Sequence, residues 1–144
     1  MSDTCAIEQS KQYLNQIKEI DKMIDYKCER LDQLKAEATC IKSPQLGADK
    51  VQSSLSGDAI PRMIAKMIDL QEEINQDIDR FVDLKAKISR NLDKIKDADA
   101  IKVLYKHYFE YKVFSDIAAE MHFCRRTVQR IHYRGLEKLS PYVT

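Results

Sequence analysis

The spacing of apolar residues along two long segments constrains this fold more than any other feature. The first segment spans residues 5–41, with Tyr13 and Leu14 extending its stripe. Lys27 interrupts the stripe, and the neighbouring Cys28 is predicted to fill the gap. Steps of three and four residues are the a/d repeat of a helix that buries one narrow face. The repeat comprises Ile17, Ile20, Ile24, Leu31, Leu34, Ala38 and Ile41.

A second long helix is predicted over residues 59–96. Polar Gln71 and Lys85 occupy two of its a-like positions, and such residues often select register or oligomeric state. The stripe is widened by neighbouring apolar residues, so this helix is expected to touch more than one partner. The d-like positions are Ile60, Met67, Ile74, Phe81, Ile88 and Ile95; the other a-like positions are Ile64, Ile78 and Leu92; the widening residues are Met63, Leu70 and Leu84.

The segment 42–58 is predicted to interrupt these helices, because it holds two of the three glycines, one proline and four serines. Asp58 is a candidate N-cap, with Pro61 in the first turn. Neither helix can bury its stripe alone. The predicted fold class is therefore all-α: a long antiparallel, coiled-coil-like hairpin over 1–96, then a C-terminal module over 97–144. Homodimerisation into a four-helix bundle would cover the remaining apolar surface; alternatively, the C-terminal module packs on the hairpin and keeps the chain monomeric.

Composition excludes several classes of protein. No apolar run approaches the roughly 20 residues needed to cross a bilayer, and no signal peptide is recognised, so a cytoplasmic location is expected. The four cysteines show no C-x-x-C spacing and no nearby histidine cluster. We therefore predict free thiols, no metal and no cofactor. No catalytic constellation is recognisable, so an enzyme is not expected.

The C-terminal module has its own helical pattern. Asp97 and Asp99 can cap a short helix that ends near Glu110. A helix over about 114–121 and one over about 125–139 then flank a three-residue turn of His122, Phe123 and Cys124. The predicted buried residues of the two helices are Ile117, Ala118, Met121, Val128, Ile131, Leu136 and Leu139.

The opposite face of the last helix is cationic. Residues 98–144 carry eight Lys/Arg against five Asp/Glu, whereas residues 1–97 carry 16 against 18. A stripe of this kind can enter a DNA major groove N-terminus first, where Arg reads guanine and Gln reads adenine. The alternative is a surface helix with a solvated Arg-rich face. His132 lies beside the stripe, where it could contact phosphate, but a helix-surface role is expected. The predicted base-reading residues are Arg125, Arg126, Gln129, Arg130 and Tyr133, and the predicted phosphate contacts are Lys112, Thr127, Arg134 and Lys138.

Residues 114–139 resemble region 4 of bacterial sigma factors. The shared pattern is the apolar–small pair at Ile117 and Ala118, then R-x-x-V-x-x-I from Arg125 and R-x-L-x-x-L from Arg134. Nearly the whole chain also resembles a family of small phage and prophage proteins of Gram-positive bacteria. The D-x-V-Q-S-S-like segment at 49–54 and the run from 68 to 79 carry that resemblance. Members are regarded as transcriptional regulators and are often grouped with late-gene activators.

Several residues depart from the region 4 pattern. His122 stands where Gly is usual, so a positive φ is expected there. Cys124 replaces the usual Ser N-cap, and Gly135 replaces Ala within a helix. Each replacement is expected to lower helix stability by about 1 kcal/mol. Val113 stands where Thr often caps the preceding helix. Arg126 occupies a position that is acidic in many sigma factors, so promoter specificity does not carry over.

The resemblance implies a sequence-specific DNA-binding regulator of phage or prophage genes, whose partner is double-stranded DNA. A second copy of the chain is expected as a further partner because the hairpin leaves apolar surface exposed. One alternative is an adaptor that binds RNA polymerase or another protein through the same module. Another is a DNA-packaging protein like the small terminase subunits. Their DNA module usually comes first, the reverse of the order here.

Overall fold

The structure, a computed structural model, describes residues 2–42 and 56–143. Every regular element within these ranges is helical, which confirms the all-α fold class. A π-helical segment, Tyr105–Phe109, follows α3 directly, and a 3₁₀ turn, Ser140–Tyr142, follows α5. The helices are α1 (Ser2–Lys42), α2 (Ser56–Asp93), α3 (Ala98–Leu104), α4 (Phe114–Met121) and α5 (Arg125–Leu139).

Most of the predicted break at 42–58 lies outside the described residues, as do the side chains of Ile41 and Asp58. The second helix begins at Ser56, three residues before its predicted start at 59. Pro61 is thus in the second turn of α2 and not, as predicted, in its first. None of the helices in the described ranges has the length and apolar character needed to span a membrane.

The chain forms two compact units. One, here called the C-terminal unit, combines residues up to Ile20 with those from Phe81 onwards; the other, the central unit, spans Asp21–Arg80. The units do not follow the predicted division at residue 96, because the first turns of α1 and the last turns of α2 share a core with α3, α4 and α5. Residues in that core with at most 1% exposure are Leu14, Ile17, Ile88, Leu92, Ala100, Val103, Leu104, Ile117, Val128, Leu136 and Leu139.

Two buried hydrogen bonds join distant parts of the C-terminal unit. The Ser10 hydroxyl donates to the Leu136 carbonyl over 2.9 Å, which ties α1 to the middle of α5. The Asn91 side-chain amide donates to the Tyr13 hydroxyl over 2.6 Å. Both groups are removed from water, so each bond satisfies a polar group that would otherwise destabilise the core.

In the central unit, Lys27 interrupts the apolar stripe because it has an acidic partner on α2. Its Nζ lies 2.7 Å from Asp77 Oδ2, and the Asp77 side chain is only 9% exposed. The prediction that Cys28 fills this gap is wrong, since Cys28 is exposed. One residue along a helix is a rotation of about 100°, which turns the thiol away from α2. Leu31, Leu70 and Ile74 form the buried cluster beside this pair.

The stripe that α2 buries differs from the predicted one. The positions that lie three residues after the d-like ones are on the buried face together with them. Leu70, three residues after Met67, is an example. The predicted a-like residues Ile64 and Ile78 are instead each 41% exposed. The apolar residues expected to widen the stripe therefore form the seam, and a second apolar face of α2 stays uncovered.

α3 and α5 cross closely at Gly135. A Cβ at this position would lie 2.9 Å from Leu104 Cδ1 and 3.2 Å from the Ala100 Cβ. Both neighbours are fully buried, so neither side chain has room to move aside. The glycine that weakens α5 by propensity is thus required by packing.

Gly135→Ala is expected to lower the free energy of unfolding by about 1 kcal/mol. Overpacking costs roughly 1–3 kcal/mol, and the gain in helix propensity, about 1 kcal/mol, offsets only part of it. Urea denaturation followed by circular dichroism measures the change. A variant as stable as the wild type or more so would contradict the close crossing.

Candidate nucleic-acid interface

The turn between α4 and α5 is fixed by a left-handed residue. His122 has φ 61° and ψ 37°, and the Phe123 N–H donates to the Ala118 carbonyl over 3.0 Å. This conformation satisfies a carbonyl at the end of α4 and stops the helix. The positive φ expected at His122 is therefore present, and the ranges predicted for the two helices, 114–121 and 125–139, are those of α4 and α5.

Cys124 is the N-cap residue of α5, with extended backbone angles of φ −82° and ψ 159°. Its side chain makes no capping hydrogen bond to the backbone. Instead Sγ lies 3.1 Å from the Thr127 hydroxyl, a contact that lowers the pKa of the thiol. The backbone N–H groups of Thr127 and Arg126 also lower the pKa of this thiol, so the sulfur partly replaces the hydroxyl that Ser would supply at the start of α5.

The five predicted base-reading residues share one face of α5. Arg125, Arg126, Arg130 and Tyr133 are exposed, and Gln129 is half-buried. The other face is buried, as the apolar spacing predicted. α5 carries no acidic residue before Glu137, so its first nine residues present positive charge without an internal counter-charge. This face can accept a polyanion.

Lys11 of α1 adds a positive charge that sequence reasoning missed. Its Nζ lies 5.2 Å from the centroid of the Tyr133 ring, in a cation–π contact. No local sequence motif indicates that Lys11 belongs to this surface, because its contact with Tyr133 forms only when the start of α1 packs against α5. It extends the cationic surface beyond the helix that supplies the arginines.

Two of the predicted phosphate contacts are already paired with Asp97. Arg134 Nε lies 2.9 Å and Lys138 Nζ 3.0 Å from Asp97 Oδ2. The same carboxylate accepts from the Ala100 N–H over 3.3 Å and so caps α3. Hydrogen bonds from Lys138 above all, and also from Ala100 and Arg134, lower the pKa of Asp97 to about 2. These two cations fasten α5 to the start of α3.

The other two predicted phosphate contacts lie nearer the turn. Lys112 Nζ is 2.8 Å from Glu120 Oε1 and 2.9 Å from Glu110 Oε1, and these partners raise its pKa. Its charge is therefore balanced by two carboxylates. Thr127 is half-buried beside Cys124. Of the four residues, Thr127 alone is not engaged in an ion pair among the described contacts.

Behind the exposed face lies an aromatic cluster centred on His132. The prediction that His132 is a helix-surface residue is wrong, since it is only 4% exposed. Its Nε2 lies 2.8 Å from the Tyr108 hydroxyl, and its ring contacts those of His107 and Phe114. Nδ1 is buried without a hydrogen-bond partner among the described residues. Burial lowers the pKa of His132 to about 4, which keeps the imidazole neutral.

Comparison of the chain with family models, with curated proteins and with solved structures finds no match.

Asp97→Ala is expected to lower the free energy of unfolding by about 1–2 kcal/mol, because it removes the cap of α3 and the partner of two cations. Asp97→Asn keeps an acceptor for the cap and removes only the charge, so a smaller loss is expected. Urea denaturation at neutral pH compares the two. Equal stability of wild type and Asp97→Ala would show that this carboxylate does not hold α3 and α5 together.

Acidification is expected to destabilise the protein through His132. The folded pKa, about 4, lies below the ordinary 6.5, so the unfolded chain binds the proton first and stability falls as pH drops from 6.5 towards 4. The expected loss between pH 7 and 5 is ~1–2 kcal/mol. Thermal melts across this range should show a shallower slope for His132→Gln, with the exposed His122→Gln as control. If stability fell with pH as steeply in His132→Gln as in the wild type, the lowered pKa of His132 would not be the cause of the acid sensitivity.

Proposed function

We propose that this chain is a sequence-specific DNA-binding transcriptional regulator, in which α4 and α5 act as a helix-turn-helix. The observation that carries the proposal is the exposed, acid-free face at the start of α5, with Arg125, Arg126, Arg130 and Tyr133 around Gln129. A solvated surface helix normally mixes both signs of charge. Here the positive residues gather where a recognition helix contacts base edges.

The dimensions of α5 suit a major groove. Its 15 residues measure roughly 22 Å, and the stretch Arg125–Tyr133 covers about 12 Å of that length. A major groove about 12 Å wide admits an α-helix, whose diameter with side chains is about 10–12 Å. In this arrangement Arg125, Arg126 and Arg130 are candidates for guanine O6 and N7, while Gln129 is a candidate for adenine N6 and N7.

We assign phosphate contacts to the side chains that would not have to break an ion pair in order to bind a phosphate. Lys11 holds only an aromatic ring among the described contacts, and Thr127 offers a hydroxyl near the helix N-terminus. Lys112, Arg134 and Lys138 would have to exchange a carboxylate for a phosphate. The proposal therefore gives Lys11 and Thr127 the larger share of backbone contacts.

The resemblance to phage and prophage regulators supports a role at phage or prophage genes inside the bacterial cytoplasm. A second copy of the chain is proposed as a partner, because two half-sites about one helical turn apart are the usual target of such modules. No catalytic role is proposed for any residue of this surface.

The second candidate function, an adaptor for RNA polymerase or another protein, is favoured by one groove. It encloses about 630 Å³ between α3 with its π-helical continuation and the end of α4. Ile101, Tyr105, Met121 and Phe123 supply apolar lining, and Lys102 and Glu120 lie at the same groove. Tyr105 is 45% exposed, which suits contact with an apolar side chain of another protein.

Selection of duplexes from a random DNA pool with the full chain, followed by gel shifts, tests the first candidate. Arg125→Ala and Gln129→Ala are each expected to weaken binding to the selected duplex by about 5- to 150-fold, since a bidentate base contact contributes ~1–3 kcal/mol. The matched control is Arg62→Ala, an exposed arginine of α2. Circular dichroism should be unchanged in all three.

Binding of both variants at wild-type strength would overturn the assignment of α5 as recognition helix. Absence of any DNA binding at low salt, combined with capture of RNA polymerase that Tyr105→Ala abolishes, would favour the second candidate.

A further inference from the structure

α2 carries a second repeat, on a face that its contacts with α1 leave uncovered. Ile64, Ile68, Ile78 and Val82 are 41%, 55%, 41% and 57% exposed. Aliphatic side chains of this size normally leave water when a partner is present. Gln71 and Asn75, which carry exposed amide side chains, lie between them. The six positions are separated alternately by four and three residues. We call Ile64, Ile68, Gln71, Asn75, Ile78 and Val82 the α2 stripe.

The steps of the α2 stripe are those of a coiled-coil seam. If Ile68 is an a position, then Gln71 is d, Asn75 is a, Ile78 is d and Val82 is a. The seam is bounded at both ends, since the preceding position is Pro61 and the following one is Lys85. Lys85 Nζ is turned towards aromatic rings, 4.8 Å from the Phe81 centroid. The stripe is therefore a defined patch about 27 Å long, at 1.5 Å per residue.

The middle of the stripe is polar. Gln71 Nε2 donates to Asn75 Oδ1 over 3.3 Å. This bond leaves a Gln71 oxygen as acceptor and an Asn75 N–H as donor for a facing group. An apolar partner that covered the stripe would bury both groups unsatisfied, which is unfavourable. The partner must therefore supply an acceptor and a donor at this level, with aliphatic side chains on either side.

We propose that the α2 stripe binds the α2 stripe of a second copy of this chain, in antiparallel orientation about a two-fold axis that passes beside residue 73. This register pairs a with d positions, as antiparallel seams do. Ile64 then faces Val82 of the other copy, Ile68 faces Ile78, and Gln71 faces Asn75. Each contact occurs twice, as an isologous interface requires.

The proposed register gives each of the four amides one donated and one accepted hydrogen bond. Within each copy Gln71 donates to Asn75, and between copies Asn75 donates to the Gln71 oxygen. The four hydrogen bonds close into a ring around the axis. A shift by one heptad would set these amides against isoleucine or valine, so the pair selects the register as well as the partner.

Acidic neighbours argue against nucleic acid as the occupant of this face. Glu72 and Asp79 lie beside the α2 stripe and are exposed, so a phosphate backbone would be repelled. In the antiparallel pair the two Glu72 carboxylates approach the axis. Association is therefore best measured at about 0.15 M salt, where exposed charges are screened over roughly 8 Å.

This inference gives the proposed regulator its second copy, but the association itself needs no DNA. Sedimentation of the full chain without DNA, from about 1 to 100 µM, is expected to show a monomer–dimer equilibrium. Ile68→Glu should weaken the dimer by at least ~100-fold, because it places a charge in the apolar seam. Gln76→Glu, an exposed position of α2 outside the stripe, should change it less than about twofold.

A charge exchange tests the orientation. In Ile68→Glu/Ile78→Lys, the antiparallel register sets opposite charges against each other, whereas a parallel pair sets like charges together. Dimerisation should therefore be at least ~10-fold tighter in this variant than in Ile68→Glu/Ile78→Glu. Circular dichroism checks that each variant stays helical, as exposed positions allow.

A monomeric wild type throughout the concentration range, or a dimer insensitive to Ile68→Glu, would overturn the interface. Equal affinities of the two double variants would overturn the antiparallel register. Arg125→Ala, which removes a proposed base contact, should sediment like the wild type. Failure of DNA binding and failure of dimerisation are thus separately visible.

Discussion

The carboxylate of Asp97 connects the parts of the C-terminal unit on which the candidate site depends. It caps α3 and at the same time holds Arg134 and Lys138, so the start of α3 and the last turns of α5 are fixed by one group. The absence of a side chain at Gly135 brings the same two helices close together. With its C-terminal half held in this way, α5 presents its N-terminal half to solvent without an acidic partner.

The two faces of α5 have opposite requirements. Its inner face must exclude water, and the neutral His132 fits because burial makes the charged imidazole unfavourable. Its outer face leaves Arg125, Arg126 and Arg130 exposed to solvent. Since charge placed on the inner face would destabilise the C-terminal unit, the arginines are concentrated on the outer face. The proposed specificity therefore resides in a few adjacent side chains rather than in overall charge, which is +1 for the chain.

Helix class, the bounds of α4 and α5 and the cationic face could be predicted from sequence, because periodicity and turn residues are local properties. The ion-pair partners of the lysine and arginine side chains could not be predicted from sequence. Arg134 and Lys138 looked available for phosphate because nothing in a helical pattern marks Asp97 as their neighbour. Lys11 was missed for the same reason, since its ring contact joins opposite ends of the chain. On α2 the spacing suggested two faces, yet only the packing against α1 decides which one is buried.

The C-terminal unit is discontinuous in sequence: the chain leaves it after Ile20 and returns at Phe81. Residues 21–80 are thus an insertion within the unit that carries the cationic helix. Because one heptad restores the face of a helix almost fully, matched gains or losses of seven residues in α1 and α2 would leave the core beneath α5 unchanged. Such changes would alter the central unit, which contains Ile64, Ile68, Gln71, Asn75 and Ile78 of the α2 stripe. The surface proposed to read DNA and the surface proposed to pair two copies can therefore diverge independently during evolution.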